Sequence, residues 1–268
     1  MGIDVQMLRL IFFFAALGSL FVCESLVHTR PWEIPRVKRW IFHMAVSIFN
    51  TVWTRLTVAV AVLAWLRVVE NHGWGISRML GLAGVVEIVG TIIVFDFFDY
   101  WWHRFNHLVP FLWRFHKVHH TDTHVDVTTT LRFHPGELFF SYGAKVCWIF
   151  IWGPSLAAFA IFETGITLYA LFHHSNIDFP DRWEKRLRLV HMTPRLHAGH
   201  HTVSLRTRDG NYSTIFLIWD RLFGTLREPD FEELKTLGLS EGRATYLEPG
   251  VFLAAPFRGN ADETRRVK

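Results

Sequence analysis

The sequence predicts an all-α, multispanning membrane protein, with four to five apolar helical segments beneath a histidine-rich helical cap. Three observations carry this. Hydrophobic residues make up 50% of the 268 and charged residues only 19%, where a soluble domain holds about a quarter charged. Mean hydropathy is positive at +0.20, and long apolar runs recur through the first two thirds of the chain. Thirteen of the 16 histidines fall in two windows, 103–134 and 173–201, where an even spread would put roughly four.

The first apolar run, about residues 8–27, sits behind Arg9 like the core of a signal peptide. No small-x-small cleavage site follows, so it reads as a membrane helix. The second, "WIFHMAVSIFNTVWTRLTVAVAVLAWL" over about 40–66, exceeds the ~20 residues needed to span and is interrupted by Arg55. Between them Arg30, Arg36, Lys38 and Arg39 crowd a short loop, which the positive-inside rule assigns to the cytoplasm. A third run, about 79–102, carries Glu87, Asp96 and Asp99 and returns to the same side, where the histidines begin. Residues 138–172, divided by Gly153-Pro154, predict a helical hairpin with both ends on that face. These segments divide the chain into an N-terminal transmembrane region (1–78), a histidine-bearing domain (79–227) and a cytoplasmic C-terminal tail (228–268). The expected location is a bacterial inner membrane or the endoplasmic reticulum, with the histidines on the cytoplasmic side. No repeat or low-complexity stretch is present.

Several classes are excluded. A net charge of +4 without a basic arm gives no nucleic-acid footprint. Cys23 and Cys147, each inside an apolar stretch, supply neither a disulfide framework nor a cysteine metal site, so any metal rests on His and carboxylate.

The histidine spacing is specific. His103 and His107 stand four apart, His116, His119 and His120 at i, i+3, i+4, and His197, His200 and His201 repeat that pattern. On a helix each set shares one face and is expected to aim its nitrogens at one centre. Eight imidazoles exceed the usual four of a tetrahedral ion, so two metals sharing the set are expected. Imidazole suits iron, copper, nickel and zinc, and spacing does not choose the element. Asp96 and Asp99, seven and four residues before His103, lie on its side of the third helix, where carboxylates can orient metal-bound imidazoles or join helices through polar contacts.

With HRFNH, HKVHH and HAGHH in order on a multispanning chain, the sequence resembles the fatty acid hydroxylase and sterol desaturase superfamily. The blocks "DFFDYWWHRFNH", "TTTLRFHPGE", "LFHHSNIDFP", "TPRLHAGHH" and "NYSTIFLIWDRLFGT" extend the likeness over roughly residues 90–227. The resemblance implies a non-haem centre of two iron ions that uses dioxygen. It places metal ligands at His103, His107, His116, His119, His120, His174, His197, His200 and His201, with His173 as a neighbour. His134 and Asn211 join Asp96 and Asp99 as supporting candidates. Ala198-Gly199 departs from the family's usual larger or basic residue, which would alter access to the metals. The implied reaction is hydroxylation or desaturation of a lipid C–H bond, on a sterol, fatty acyl chain or membrane lipid drawn from the bilayer.

Such a bond offers no acidic proton, so acid–base groups are insufficient and a strong oxidant is required. The hairpin and the end of the third helix are expected to form a groove that admits the lipid, sealed by the histidine cap. The chain shows no Gly-rich dinucleotide fingerprint and no cluster-binding cysteines, so electrons are expected from a separate ferredoxin, flavoprotein or cytochrome. The rival readings are a bis-histidine haem carrier, a zinc-dependent membrane hydrolase and a metal transporter. The first wants histidines facing each other within the spans, the second a positioned carboxylate base, the third polar residues through the spans.

Overall fold

The computed structural model describes residues 5–240, 243 and 246–258. The end of the expected tail, 259–268, lies outside the described residues. In chain order the helices are α1 (Val5–Val27), α2 (Arg36–Thr54), α3 (Val60–Asn71), α4 (Ile76–Met79), α5 (Gly84–Leu108), α6 (Pro110–His120), α7 (Pro135–Trp152), α8 (Leu156–His174), α9 (Asp181–Leu187) and α10 (Pro194–His200). A π-helical turn, Arg55–Ala59, joins α2 to α3 without a break. Among the described residues no strand forms.

Among the described residues three helical stretches are long and apolar enough to cross a membrane: Met7–Val27, Arg36–Met79 and Leu156–His174. The predicted number was higher. The difference lies in α5, whose Glu87, Asp96 and Asp99 break its apolar character, and in α7, which carries Glu137 and Lys145. Both are nonetheless central to the bundle. Helix α5 packs on α6, α7 and α8, while α1 lies against α8 and α3 against α7. Phe95 shares one core cluster with Val62 and Leu66 of α3, Trp148 and Ile149 of α7, and Phe162 of α8, and its ring meets those of Trp148 and Phe162.

The predicted hairpin is α7 and α8, and its two ends meet the histidine layer. Its tip is a close backbone crossing. Gly153, at φ 72°, ends α7, and a Cβ there would stand 1.9 Å from the Trp74 carbonyl oxygen. Ser77 Oγ and Arg78 Nε both donate to the Gly153 carbonyl, at 2.6 and 3.0 Å. Ser155 then starts α8 by accepting from the Ala158 amide. Proline at the first helical position opens α6, α7 and α10, a place where its missing N–H leaves no intrahelical bond unmade.

A buried ionic bracket ties the first two helices to the loop after α6. Arg39 donates to both oxygens of Asp122, at 2.9 and 3.1 Å, and to Asp126. Asp122 also accepts from Thr129, and Asp126 from the Thr128 amide and hydroxyl. Glu24 of α1 accepts from the amides of Val127 and Asn176, each at 3.0 Å, and from Arg36. Burial alone would raise the Asp122 carboxyl, but the Arg39 guanidinium holds it below the usual carboxylate range. Of the basic residues read as a topological signal, Arg36 and Arg39 are thus engaged in ion pairs, and the loop lies on the histidine side of the bundle.

The segment expected as a tail packs into the cap. Arg132 donates to the Tyr246 carbonyl at 2.8 Å and lies near the rings of Phe42, Tyr246 and Phe252. The Gly238 amide donates to the His201 carbonyl at 2.8 Å. Pro229 sits so close to Gly199 that a Cβ there would stand 2.8 Å from its ring. The glycine of HAGHH is therefore required by packing of the tail.

Candidate metal centre

Four helix ends converge on one buried layer. The end of α5 supplies His103 and His107, α6 supplies His116, His119 and His120, α8 supplies His174, and α10 with its cap supplies His197, His200 and His201. These nine form two groups: His103, His107, His116, His120 and His200 in one, and His119, His174, His197 and His201 in the other. Within each group the candidate ligand atoms lie within 4.8 Å of one another, and every ring except that of His103 is buried.

Each HxxHH motif therefore serves both groups, not one. Its i and i+4 members go together, His116 with His120 and His197 with His201, while the i+3 member goes to the other group. Neighbouring residues on a helix point about 100° apart, so adjacent histidines diverge onto two centres. The same two motifs thus contribute to both groups.

Six of the nine rings are held from behind through Nδ1. His103 pairs with the Tyr212 carbonyl at 2.8 Å, His200 with the Gly210 carbonyl at 2.7 Å and His174 with the Ala170 carbonyl at 2.8 Å. His119 pairs with the Arg132 carbonyl at 3.3 Å. Two carboxylates do the same work: Glu137 at 2.7 Å from His116 and Asp209 at 3.4 Å from His107. A carbonyl only accepts, so Nδ1 carries the hydrogen and a neutral ring turns a bare Nε2 inward.

This arrangement fits metal. His119 Nε2 and His174 Nε2 stand 3.0 Å apart although both rings use Nδ1–H elsewhere, so two lone pairs face each other. A cation between them removes that repulsion, and about 3 Å is the separation of two nitrogens bound at right angles to one ion through ~2.1 Å bonds. His174 Nε2 is also 3.0 Å from His197 Nε2, and His116 Nε2 is 3.2 Å from His120 Nε2. Both ring nitrogens of His201 and Nε2 of His200 are buried without a hydrogen-bond partner. Burial, reinforced by the neighbouring imidazoles, pushes His119, His120, His197, His200 and His201 well below the ordinary histidine range, which keeps them neutral. The donor set is all nitrogen, suited to a first-row transition metal.

The supporting candidates act elsewhere. Asp96 accepts from the amides of Ile215 and Phe216 and from the Trp219 indole, and Asp99 accepts from the Thr214 hydroxyl. Both anchor the loop that presents the Tyr212 carbonyl, one step behind the imidazoles. Asn211, at φ 54°, donates to the Leu196 and Arg227 carbonyls, fixing the turn between Gly210 and Tyr212. His134 caps α7 by accepting from the Gly136 amide, and its other nitrogen faces the Leu253 carbonyl, so it belongs to neither group. His173 stacks on His197, centroids 3.9 Å apart, with Nδ1 near the Thr214 carbonyl. Glu137 and Asp209 were missed in the sequence. Glu137 closes the block "RFHPGE" and so had a positional signal, while backbone carbonyls have none.

A cavity of about 300 Å³ opens from the histidine layer into the bundle. Its walls include Trp102 of α5, Leu138 of α7 and Ile166 of α8, and His116, His119 and His174 line it. The groove expected from the hairpin is there, with two additions. Phe13 of α1 lines it as well, and Lys145 and Glu163, paired at 2.7 Å, cross its wall from α7 to α8.

The fold and the site define a helical membrane protein with a two-part, all-imidazole centre at the ends of its helices. The fatty acid hydroxylase family pattern matches residues 88–225, just over half of the chain, and the chain belongs to that family. Ornithine lipid hydroxylase OlsE of Rhizobium tropici is 28% identical over 196 residues, 73% of this chain and 57% of that protein. Alkylglycerol monooxygenase of Danio rerio is 35% identical over 130 residues, 47% of this chain and 27% of that protein. Very-long-chain aldehyde decarbonylase GL1-8 of Oryza sativa subsp. japonica is 31% identical over 168 residues, 61% of each chain. The chain thus spans less than two thirds of the length of these relatives. No solved structure matches it.

Proposed function

We propose that this protein is a membrane monooxygenase that hydroxylates a C–H bond of a lipid, using two iron ions, dioxygen and electrons from a separate protein. The observation that carries the reading is the layer of nine imidazoles divided five and four, whose inward nitrogens face one another beside a largely apolar cavity. Irons held there would supply the redox chemistry that an unactivated C–H bond requires and that no side chain offers. One oxygen atom enters the substrate and the other leaves as water, with two electrons and two protons delivered from outside.

The chain's own part is placement. His103, His107, His116, His120 and His200 would hold one ion, and His119, His174, His197 and His201 the other. Glu137 and Asp209 fix the tautomers of His116 and His107, which raises their basicity as ligands. Trp102, Leu138 and Ile166 exclude water from the face where a lipid chain would lie. The names of the relatives, two oxygenases and an aldehyde decarbonylase acting on lipids, support this class and do not favour a zinc hydrolase or a transporter. The basic loop on the histidine side favours a cytoplasmic centre, reachable by a soluble ferredoxin, a flavoprotein or a cytochrome.

The test is metal analysis and Mössbauer spectroscopy on iron-57-enriched protein purified anaerobically, beside a variant with His119→Ala and His120→Ala. The expected result is about two coupled irons per chain, lost in the variant. Protein that takes up zinc but cannot be reconstituted with iron would overturn the reading.

A further inference from the structure

A second, smaller cavity of about 230 Å³ lies among α1, the π-helical turn and α8, lined by Arg9, Phe13, Arg55, Thr164 and Thr167 with Leu10 and Leu168. Arg9 and Arg55 both belong to stretches apolar enough to span a membrane. Neither side chain forms a hydrogen bond or ion pair with another described residue. A guanidinium in such a stretch is expensive to place and marks a site by default. Arg55 also opens the π-helical turn, an irregularity that collects at functional positions.

The lining determines what the cavity can hold. It contains no Asp or Glu among the described residues. The hydroxyls of Thr164 and Thr167 donate to their own helix, to the carbonyls of Ala160 and Glu163. The two guanidiniums are therefore its free donors, and their planar forks match a carboxylate or a phosphate. Lys145 in the larger cavity cannot play this part, because Glu163 already neutralises it at 2.7 Å.

Phe13 and Thr167 line both cavities, so the two adjoin at these side chains. From Thr167 to His174 is seven residues of α8, about 10 Å at ~1.5 Å per residue. We propose that Arg9 and Arg55 bind the anionic group, carboxylate or phosphate, of a single-chain or two-chain lipid whose hydrocarbon passes Phe13 and Thr167 toward the histidines. The destination of the chain rests on the monooxygenase reading; the anion site does not.

The test uses the metal-stripped full chain in neutral-lipid nanodiscs and three probes with the same diazirine-bearing acyl chain: the free acid, the lysophosphatidate and the neutral monoacylglycerol. After photolysis, labelled peptides are mapped by mass spectrometry. Peptides holding Trp102 and Leu138 should be labelled by at least one anionic probe at about tenfold lower concentration than by the neutral one. The anionic probe that succeeds identifies the headgroup chemistry. Arg9→Gln with Arg55→Gln should make the three probes equivalent, as should Leu168→Glu, which sets a carboxylate beside the guanidiniums and leaves them in place. Arg67→Gln, outside the cavity, should keep the preference. Equal labelling by neutral and anionic probes in the natural chain, or a preference that survives in both altered chains, would overturn the proposal. Since no metal is present in this experiment, failure to find iron would sink the monooxygenase reading and leave this result standing.

Discussion

The ionic bracket and the histidine layer lie side by side, are buried to the same degree and are built from similarly polar groups, yet they are satisfied in opposite ways. In the bracket Arg39, Asp122 and Asp126 close one another's charges, and of the side-chain polar atoms of these three only Arg39 Nε lacks a hydrogen bond among the described residues. In the layer both nitrogens of His201, Nε2 of His200 and Nδ1 of His197 have none, and two lone pairs meet across 3.0 Å. The bracket is finished by the chain alone. The layer is finished only by something added, and that contrast separates a buried polar network that serves the fold from one that serves chemistry.

The most direct way to break the contrast is Arg39→Met. Two carboxylates would then be buried without their cation, and metal-free protein should lose about 3–5 kcal/mol of stability in a detergent thermal-unfolding series. An unchanged melting temperature would show that the bracket carries no structural weight. Supplying ferrous iron to the natural chain should act in the other direction, adding about 2.7 kcal/mol at a hundredfold excess over the dissociation constant. No rise would mean that the layer takes up no iron.

Glu137→Gln tests whether the support behind His116 matters to the ion. Iron affinity should fall about 10- to 100-fold by competition with a chelator, while the metal-free melting temperature stays nearly constant. The smallest pair of effects sharpens the comparison. His201→Leu removes two buried, unpartnered nitrogens, so metal-free stability should rise by about 1 kcal/mol while one iron is lost. Asp209→Asn should weaken iron less than tenfold, because that contact is long at 3.4 Å and the carboxylate side chain is 33% exposed.

The histidine layer was legible because ligands on helices must recur at i, i+3 and i+4, and the chain repeats that spacing twice. What spacing hides is partition. His119 and His120 are adjacent in sequence and diverge by about 100° on α6, but which histidines of α5, α8 and α10 each one joins is set by tertiary packing. The same limit explains Asp96 and Asp99, whose offsets place them correctly on α5 while their partners, the amides of Ile215 and Phe216 and the Thr214 hydroxyl, arrive from more than a hundred residues away. Membrane helices were legible where the apolar runs are clean, as in α1, and less so in α5, where acids needed for tertiary contacts dilute the signal. The role of the tail was not legible at all, since Pro229 and Gly238 act through shape and a backbone amide.

That tail sets an order of assembly. Every histidine of the layer is synthesised before Pro229, Gly238 and Tyr246, the residues that close over Gly199, His201 and Arg132. A chain emerging from the ribosome therefore leaves these histidines on an unclosed face for the time needed to add residues 229–246, at about 5–20 residues per second. On that side an ion held in the layer would be covered only after these residues dock. How firmly Pro229, Gly238 and Tyr246 dock would then bear on how readily the layer gives up a bound metal.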